Sequence, residues 1–451
     1  MFGERILTYW DEIVSDLAEL IAIPSVRSEA GEGEPYGKGP AEALQWFENR
    51  ARQMGLTVHD VDHRAAHAEY GIGETFGGVL AHLDVVPAGD GWKTNPFQLT
   101  SKNGIFYGRG VEDDKSYALI ALYCLRALKD AGITGNRRMR VIVGIDEECG
   151  MSDMEAYFTA QPLPDMAFTP DVSYTVCNRE KGILQLELRS GHHTDDVFLD
   201  GGSAINAVAG TAEAFVLKDH RELPFWEQKA AMSECPIIME KGKNGFQLHA
   251  HGTASHAMEP ERGKNAVTHL LAMLENQKMD PVCRFIQQMI GTEWNGSALG
   301  IAQHDEPSGP LTLNVGYLHC AEDTTRAGID IRYPVTADGN AILNRIREKA
   351  EVMDVEIAVL HHQAPIYLPE DHPLIRMLVS VYEEVTGKPA VVYSTGGGTY
   401  ARTLAGRGVG FGGAFPGREG YGHTNQEQVA EADLKMHAQI CLEAMYRMMK
   451  A

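Results

Sequence analysis

The sequence is poor in cysteine, and what it has follows no motif. Cys124, Cys149, Cys177, Cys235, Cys283, Cys320 and Cys441 are odd in number, widely scattered and free of any C-x-x-C pair. Neither a disulfide framework nor a thiolate zinc site is expected, and a reducing compartment is. Basic residues are also in short supply: 40 Lys and Arg against 62 Asp and Glu leave a net charge of −22. Such a surface repels the phosphate backbone, which argues against nucleic acid as a partner. No apolar run approaches the roughly 20 residues of a membrane-spanning helix. The opening residues, M-F-G-E-R-I-L-T-Y-W-D-E-I, carry acids where a signal peptide requires an apolar core. A cytoplasmic protein with no membrane partner is therefore expected. Repeats and low-complexity linkers are absent as well. What remains is ordinary globular material, 44% hydrophobic and 23% charged. At 451 residues it is too long for one core, so two domains are expected.

The most informative stretch is V-L-A-H-L-D-V-V-P at 79–87, followed by Y-G-R-G-V-E-D-D-K at 107–115. The apolar run at 79–86, bounded by glycines and a proline, reads as a buried strand. His82 and Asp84 then share one face, because side chains alternate along a strand. Burying an imidazole and a carboxylate together is costly unless they are paired. A metal ion satisfies them, and so does a plain His–Asp hydrogen bond.

Helical spacing is evident at 10–23, 40–54 and 117–128, with buried strands at 141–145 and 166–168 and a hairpin turn at Asn103-Gly104. Strands alternating with helices indicate an α/β sheet, whose strand ends are where sites form. From 182 the texture changes to one-sided strands at 184–189, 246–251 and 327–332, with helical patterns at 204–216, 265–274 and 341–352. After Pro365 the first texture returns, with a helix at 374–385, a strand at 391–393, the glycine-rich S-T-G-G-G-T and a final helix at 434–449. The expected fold is an α/β catalytic domain, a mixed sheet flanked by helices, interrupted by an α+β lid. Its parts are residues 1–181 and 365–451, with the lid at 182–364.

His82, Asp113, Glu147, Glu148, Asp171 and His423 collect at strand ends or loops. Two histidines with several carboxylates suit a pair of zinc-like ions bridged by a carboxylate. Two such ions share a hydroxide that is nucleophilic at neutral pH. One carboxylate must then stay off the metals to carry the proton, a division that adjacent Glu147 and Glu148 suit. Taken singly each element is bland, since Glu-Glu pairs are mostly surface. G-I-G-E-T-F-G-G at 71–78 precedes a strand and opens no helix, which excludes a dinucleotide loop. S-T-G-G-G-T lacks the lysine of a phosphate loop and reads as a backbone-amide nest for a carboxylate, with a plain tight turn as the alternative. Arg332 ends an alternating strand, where a structural salt bridge is one reading. His67, the His192-His193 pair and the His361-His362 pair are expected to face solvent, and Cys149 to pack.

Together, H-L-D-V-V-P, Y-G-R-G-V-E-D-D-K, D-E-E, the P-D-V-S-Y-T-V-C-N-R-E-K-G run, G-T-A-S-H-A-M-E-P-E-R-G-K-N-A and G-H-T-N-Q-E resemble the dinuclear zinc exopeptidases related to aminoacylase. E-K-G, M-E-P-E-R-G and S-T-G-G-G-T-Y-A-R most resemble their bacterial dipeptidase V branch, the Xaa-His or carnosinase-like dipeptidases. The resemblance implies that Asp113 bridges two metals, with His82 and Asp171 on one and Glu148 and His423 on the other. It implies Glu147 as general base, Asp84 as partner of His82, and His256 as a lid histidine that polarises the scissile carbonyl. Asn206, Arg332 and the turn at Thr395, Gly396 and Gly397 match positions that hold the substrate's terminal carboxylate. A cis peptide between Asp113 and Asp114 is implied too. Ser116, where glycine is usual, and Gln426, where asparagine is usual, depart from the pattern away from the ligand positions.

The expected activity is hydrolysis of dipeptides with a free carboxylate, using two divalent ions, zinc before manganese or cobalt, by a chain active as a monomer. An N-acyl amino acid deacylase or a carboxypeptidase on the same scaffold is the nearest alternative. A non-enzymatic metal-binding scaffold is the alternative from another class, and it would need no Glu147.

Overall fold

The computed structural model describes residues 1–191, 197–217, 222–274, 277–320 and 324–451. The His192-His193 pair lies outside the described residues. The chain divides into two compact units: Met1–Arg179, Tyr367–Tyr393 and Gly398–Ala451 form one, and Glu180–Ile366 with Ser394–Gly397 forms the other. The short segment Ser394–Gly397 thus goes with the second unit, whereas the sequence assigned all of 365–451 to the first.

The first unit is built on a mixed sheet. Its middle strands, Arg138–Gly144, Phe76–His82, Met166–Thr169 and Gly408–Phe411, run parallel, while Thr57–Val61 and Ala65–Tyr70 add an antiparallel hairpin at one side. Phe76–His82 is buried at every position because it lies between two neighbours and under helices. Helix Lys115–Asp130 is buried along most of its length because it packs both on the sheet strands Phe76–His82 and Arg138–Gly144 and against helix Glu431–Lys450. The hairpin at Asn103-Gly104 is present, with both residues in the left-handed region that a two-residue turn demands.

The second unit carries an eight-stranded antiparallel sheet, in the order Ile237–Lys241, Gly245–His251, Thr211–Leu217, Val197–Gly202, Thr312–Cys320, Thr325–Tyr333, Gly182–Ser190 and Glu356–Gln363. Helices Ala266–Met273, Pro281–Phe285 and Gly339–Val352 supply Leu270, Leu271, Val282, Phe285, Ile342 and Ile346 to its core.

Several expectations are corrected. The helical pattern at 204–216 is instead a turn and the strand Thr211–Leu217, in which Ala212, Ala214 and Val216 are buried and Glu213 is exposed. The period there is two, and alanine's helical preference conceals it. The strand at 79–86 stops at His82, because its neighbours end at Gly144 and Thr169 and the chain leaves the sheet. The strand Thr325–Tyr333 has no solvated face beyond Arg326: Asp330 and Arg332 are buried, and Glu187 on the adjacent strand is buried too. Cys149 is exposed rather than packed.

His67 is buried, not solvent-facing, and its Nδ1 pairs with the Tyr157 hydroxyl at 2.9 Å. His437 is buried likewise, with Nδ1 3.0 Å from the Tyr174 hydroxyl. Burial pushes both imidazoles down to about 3. Below a pH of about 6.5 the unfolded chain therefore binds protons that the folded chain refuses. Stability falls as pH drops from there toward 3, by about 1.4 kcal/mol per pH unit for each histidine. Replacing His437 with Phe should flatten this acid limb by about one proton, read from denaturant midpoints across pH. An unchanged slope would show that His437 is not a buried neutral group.

Candidate active site

The parallel strands deliver their carboxyl ends to one edge, and the turns leaving that edge carry the functional side chains. His82 closes Phe76–His82, Glu147 and Glu148 form a short 3-10 turn after Arg138–Gly144, and Asp171 follows Met166–Thr169. Asp113 lies one residue before the N-cap, Asp114, of helix Lys115–Asp130, and the Asp113–Asp114 peptide bond is cis, as the resemblance implies. His423 arrives from the loop before the last helix, with φ at 62°.

Two groups of side chains result. His82, Asp113 and Asp171 form one, and Asp113, Glu148 and His423 form the other, with the donor atoms of each within 4.8 Å of one another. Asp113 belongs to both. Its Oδ1 lies 2.9 Å from His82 Nε2 and its Oδ2 lies 2.9 Å from His423 Nε2. Asp171 Oδ2 is 3.9 Å from His82 Nε2, and Glu148 Oε2 is 3.0 Å from His423 Nε2. Among the described residues, Glu147 is in neither group.

The charge balance explains what such a cluster attracts. Burial lifts Glu147 and Asp171 well above the usual carboxylate range, and repulsion among Asp171, Asp113 and Glu148 adds to it. For Asp113 burial acts the same way, but hydrogen bonds from His423 and His82 outweigh it and hold this carboxyl far below its ordinary value. His423 is raised to about 11 by its hydrogen bonds to Asp113 and Glu148. His82 is raised too: burial opposes its charge, and the contacts with Asp113 and Asp84 overcome that. The acids thus demand positive charge at two points, one beside each imidazole. Glu148 Oε1 is buried and has no hydrogen-bond partner among the described residues, which leaves its lone pairs open to a cation. The donor set of imidazole nitrogens and carboxylate oxygens fits divalent ions of the zinc class.

A ring of supporting bonds sets these donors. His82 Nδ1–H donates to the Asp84 backbone carbonyl at 2.9 Å, which fixes the tautomer and turns Nε2 toward Asp113. The Asp84 carboxylate stands 3.4 Å from the same ring nitrogen. It accepts the N–H groups of Glu147 and Glu148 at 3.3 and 3.1 Å, so it holds the turn carrying both acids as well as facing His82. Because the strand ends at His82, this geometry could not be read from side-chain alternation. Asp153 secures the same turn from behind, with Oδ2 accepting from Ile145 and Asp146 N–H at 2.7 and 2.8 Å. No signal in the sequence pointed to it.

Glu427 was also missed as a functional residue, although it ends G-H-T-N-Q-E. It is fully buried; Oε1 accepts the N–H groups of Gly110, Glu112 and Asp113 at 2.9, 3.0 and 3.2 Å, and Oε2 pairs with Arg109. It therefore ties the loop carrying Asp113 to the chain just after His423. Glu427→Ala would strand the buried Arg109 cation and three amides, a loss of about 3–5 kcal/mol. Glu427→Gln keeps the shape and should cost less stability while loosening metal retention about 10–100-fold. Denaturation midpoints and metal titrations of the two variants check this.

In the second unit the remaining candidates gather around one loop. The Ala257 N–H donates to the Asn206 carbonyl at 2.9 Å, and Ala207 bridges His256. Gly396 sits against Met258, where a Cβ would come within 2.7 Å of the methionine side chain. The Arg332 guanidinium donates to the Gly396 carbonyl at 2.9 Å and to Asp330 at 2.6 and 2.9 Å. The Gly397 N–H donates to Thr395 Oγ1 at 3.1 Å, so the amide nest at this turn is partly self-satisfied. Arg332 does make a structural ion pair, with Asp330. The Met258 N–H donates to His256 Nδ1 at 3.1 Å, which places the ring proton on Nε2.

Comparison with known proteins gives the chain's family and fold. The model of "Peptidase family M20/M25/M40" matches residues 78–447. "Putative dipeptidase YtjP" of Bacillus subtilis (strain 168) is 34% identical over 461 aligned residues, covering 98% of each chain. Among solved structures, the M20 family metallo-carboxypeptidase Sso-CP2 from Sulfolobus solfataricus matches with a TM-score of 0.63 and 16% identity, over 97% of this chain and 99% of that one. Human carnosine dipeptidase 1 matches with a TM-score of 0.61 and 13% identity, over 99% and 98%. At those identities the two structures speak for the fold alone, a catalytic domain with an inserted lid. Among the described residues no helix is long and apolar enough to cross a membrane. With the family's match spanning most of the sequence and a relative aligned along nearly all of it, this chain belongs to peptidase family M20/M25/M40.

Proposed function

We propose that this metal-dependent peptidase cleaves dipeptides bearing a free carboxylate, with zinc as its native metal. The observation that carries the reading is the pair of ligand groups sharing Asp113, with Glu147 beside them and outside both. His82 and Asp171 would hold one ion, Glu148 and His423 the other, and Asp113 would join them. When bound, such ions polarise a carbonyl and acidify water. The chain's own groups do the rest. Glu147, its pKa raised by burial and by the charge of Asp171, accepts a proton from water and returns it to the leaving amine. Asp84 keeps His82 oriented and the Glu147 turn in place. His256, with its proton on Nε2, is the donor assigned to the developing oxyanion. Asn206, Arg332 and the turn at Thr395, Gly396 and Gly397 are assigned to the terminal carboxylate, the guanidinium supplying charge and the turn supplying amides.

The alignment with a relative named as a dipeptidase supports the substrate class. A panel of dipeptides, tripeptides and N-acyl amino acids, run after reconstitution with zinc, manganese or cobalt, tests it. Dipeptides should be cleaved with the highest kcat/KM. Preference for acylated amino acids or for longer peptides would replace the reading with a deacylase or a carboxypeptidase. Seven free thiols suit the reducing cytoplasm proposed for it. We assign activity to the single chain; full specific activity at dilutions where sedimentation shows only monomer is the expected result.

A further inference from the structure

A second set of ligand-type side chains meets within the second unit. Asp280 and Cys283 open the helix Pro281–Phe285, where Asp280 is the N-cap and its Oδ1 accepts the Cys283 N–H at 3.0 Å. Cys320 ends the strand Thr312–Cys320 and stands opposite Thr325 in the ladder. The other carboxylate oxygen, Asp280 Oδ2, faces both sulfurs, 3.7 Å from Cys283 Sγ and 3.8 Å from Cys320 Sγ, and also accepts the Thr325 hydroxyl. The sulfurs lie 3.7 Å apart and both cysteines are free. Asp280, Cys283 and Thr325 are buried, whereas Cys320 is half-buried and gives the cluster an opening.

Two physical facts single this cluster out. First, among the described residues no lysine, arginine or histidine pairs with Asp280, although a buried carboxylate without a counter-charge is costly. Second, the spacing is that of a coordination shell. Metal–sulfur bonds of about 2.3 Å at tetrahedral angles put two sulfurs about 3.8 Å apart, and a carboxylate oxygen about 3.5 Å from each. The observed edges, 3.7, 3.7 and 3.8 Å, fall close to these. The absence of a C-x-x-C pair therefore excludes only a thiolate site that is local in sequence; here residues 37 apart are brought together.

We propose that Asp280, Cys283 and Cys320 form a binding site for a thiophilic divalent ion of the zinc class, with Thr325 Oγ1 at its margin. Binding exchanges the two thiol protons, released to solvent, for one dication, so the net charge of the cluster is unchanged. Two thiolates favour zinc-like ions over magnesium or manganese. The ion would tie the start of helix Pro281–Phe285 to the strand pair Thr312–Cys320 and Thr325–Tyr333, stiffening the second unit without touching peptide substrate.

Cobalt(II) distinguishes this site from the peptidase ligands, because thiolate coordination gives an intense near-ultraviolet charge-transfer band and imidazole or carboxylate coordination does not. Full-length protein prepared under reducing conditions and loaded with cobalt should show the band. Cys149→Ala, which removes the exposed thiol beside Glu148, should keep it. Cys320→Ser should lose the band and one equivalent of bound metal while still hydrolysing dipeptides. A wild-type spectrum without the band overturns the proposal, and so does a band that survives Cys320→Ser. A Cys283–Cys320 disulfide found by thiol titration of the reduced preparation overturns it as well. The wild-type spectrum and thiol count decide the matter even if Cys320→Ser does not fold.

Discussion

Glu147→Gln should leave the metals in place and remove turnover. The substitution keeps the volume and the backbone N–H that binds Asp84, and it touches neither of the groups His82/Asp113/Asp171 and Asp113/Glu148/His423. What it removes is a carboxylate able to take a proton from water and deliver it to the leaving amine. General acid–base catalysis of this kind is worth about 10²–10⁴-fold, and the loss should fall on kcat rather than KM. Glu147 is suited to the role because burial and the neighbouring charge of Asp171 raise its proton affinity, whereas a fully solvated carboxylate would be too weak a base to hold the proton in transit. Metal content of the purified variant, measured beside steady-state rates, separates the possibilities. If the variant lost metal, the roles of Glu147 and Glu148 would be exchanged.

The site was legible in the sequence to the extent that its residues sit in short runs whose chemistry is unusual for a buried strand end. His82, Asp113, the Glu147-Glu148 pair, Asp171 and His423 all lie in such runs; the structure brings all but Glu147 into the two ligand groups and holds Glu147 on the turn that carries Glu148. The supporting residues were harder to read. Asp153 acts through backbone amides of Ile145 and Asp146, and a bond to a main-chain N–H leaves no mark on its partner's identity. Asp84 was legible as a buried acid, but its bonds to the Glu147 and Glu148 amides depend on the chain leaving the sheet after His82.

The fold shows the same division. Strongly periodic helices such as Pro373–Thr386 and Glu431–Lys450 were plain from their apolar spacing, and the turn at Asn103-Gly104 from its residue types. Alanine-rich strands were not. Ala65–Tyr70 and Thr211–Leu217 bury alanines on the sheet, and alanine carries little strand preference, so pairing with neighbours decides the conformation. His67 was misplaced for this reason: it lies on one of those unrecognised strands and is covered by Tyr157.

Asp113→Ala is expected to have the largest effect on metal content, because among the described residues no other belongs to both ligand groups. Removing it takes an oxygen from beside His82 and another from beside His423, leaving each remaining set with one imidazole and one carboxylate. It also removes the negative charge that holds both imidazoles in position through contacts of 2.9 Å. Both ions should then be lost on dialysis, and activity should fall below detection at ordinary metal concentrations. Asp171→Ala and His423→Ala, by contrast, each damage one group and should leave about one ion bound with tight affinity. The fold should survive in Asp113→Ala, since Glu427 still anchors the backbone amides of Gly110 and Glu112 and the helix after Asp114 packs independently of this side chain. Elemental analysis of the three dialysed variants, with circular dichroism to confirm folding, makes the comparison. A dialysed Asp113→Ala protein that retained as much metal as Asp171→Ala would show that the shared carboxylate does not join the two ions.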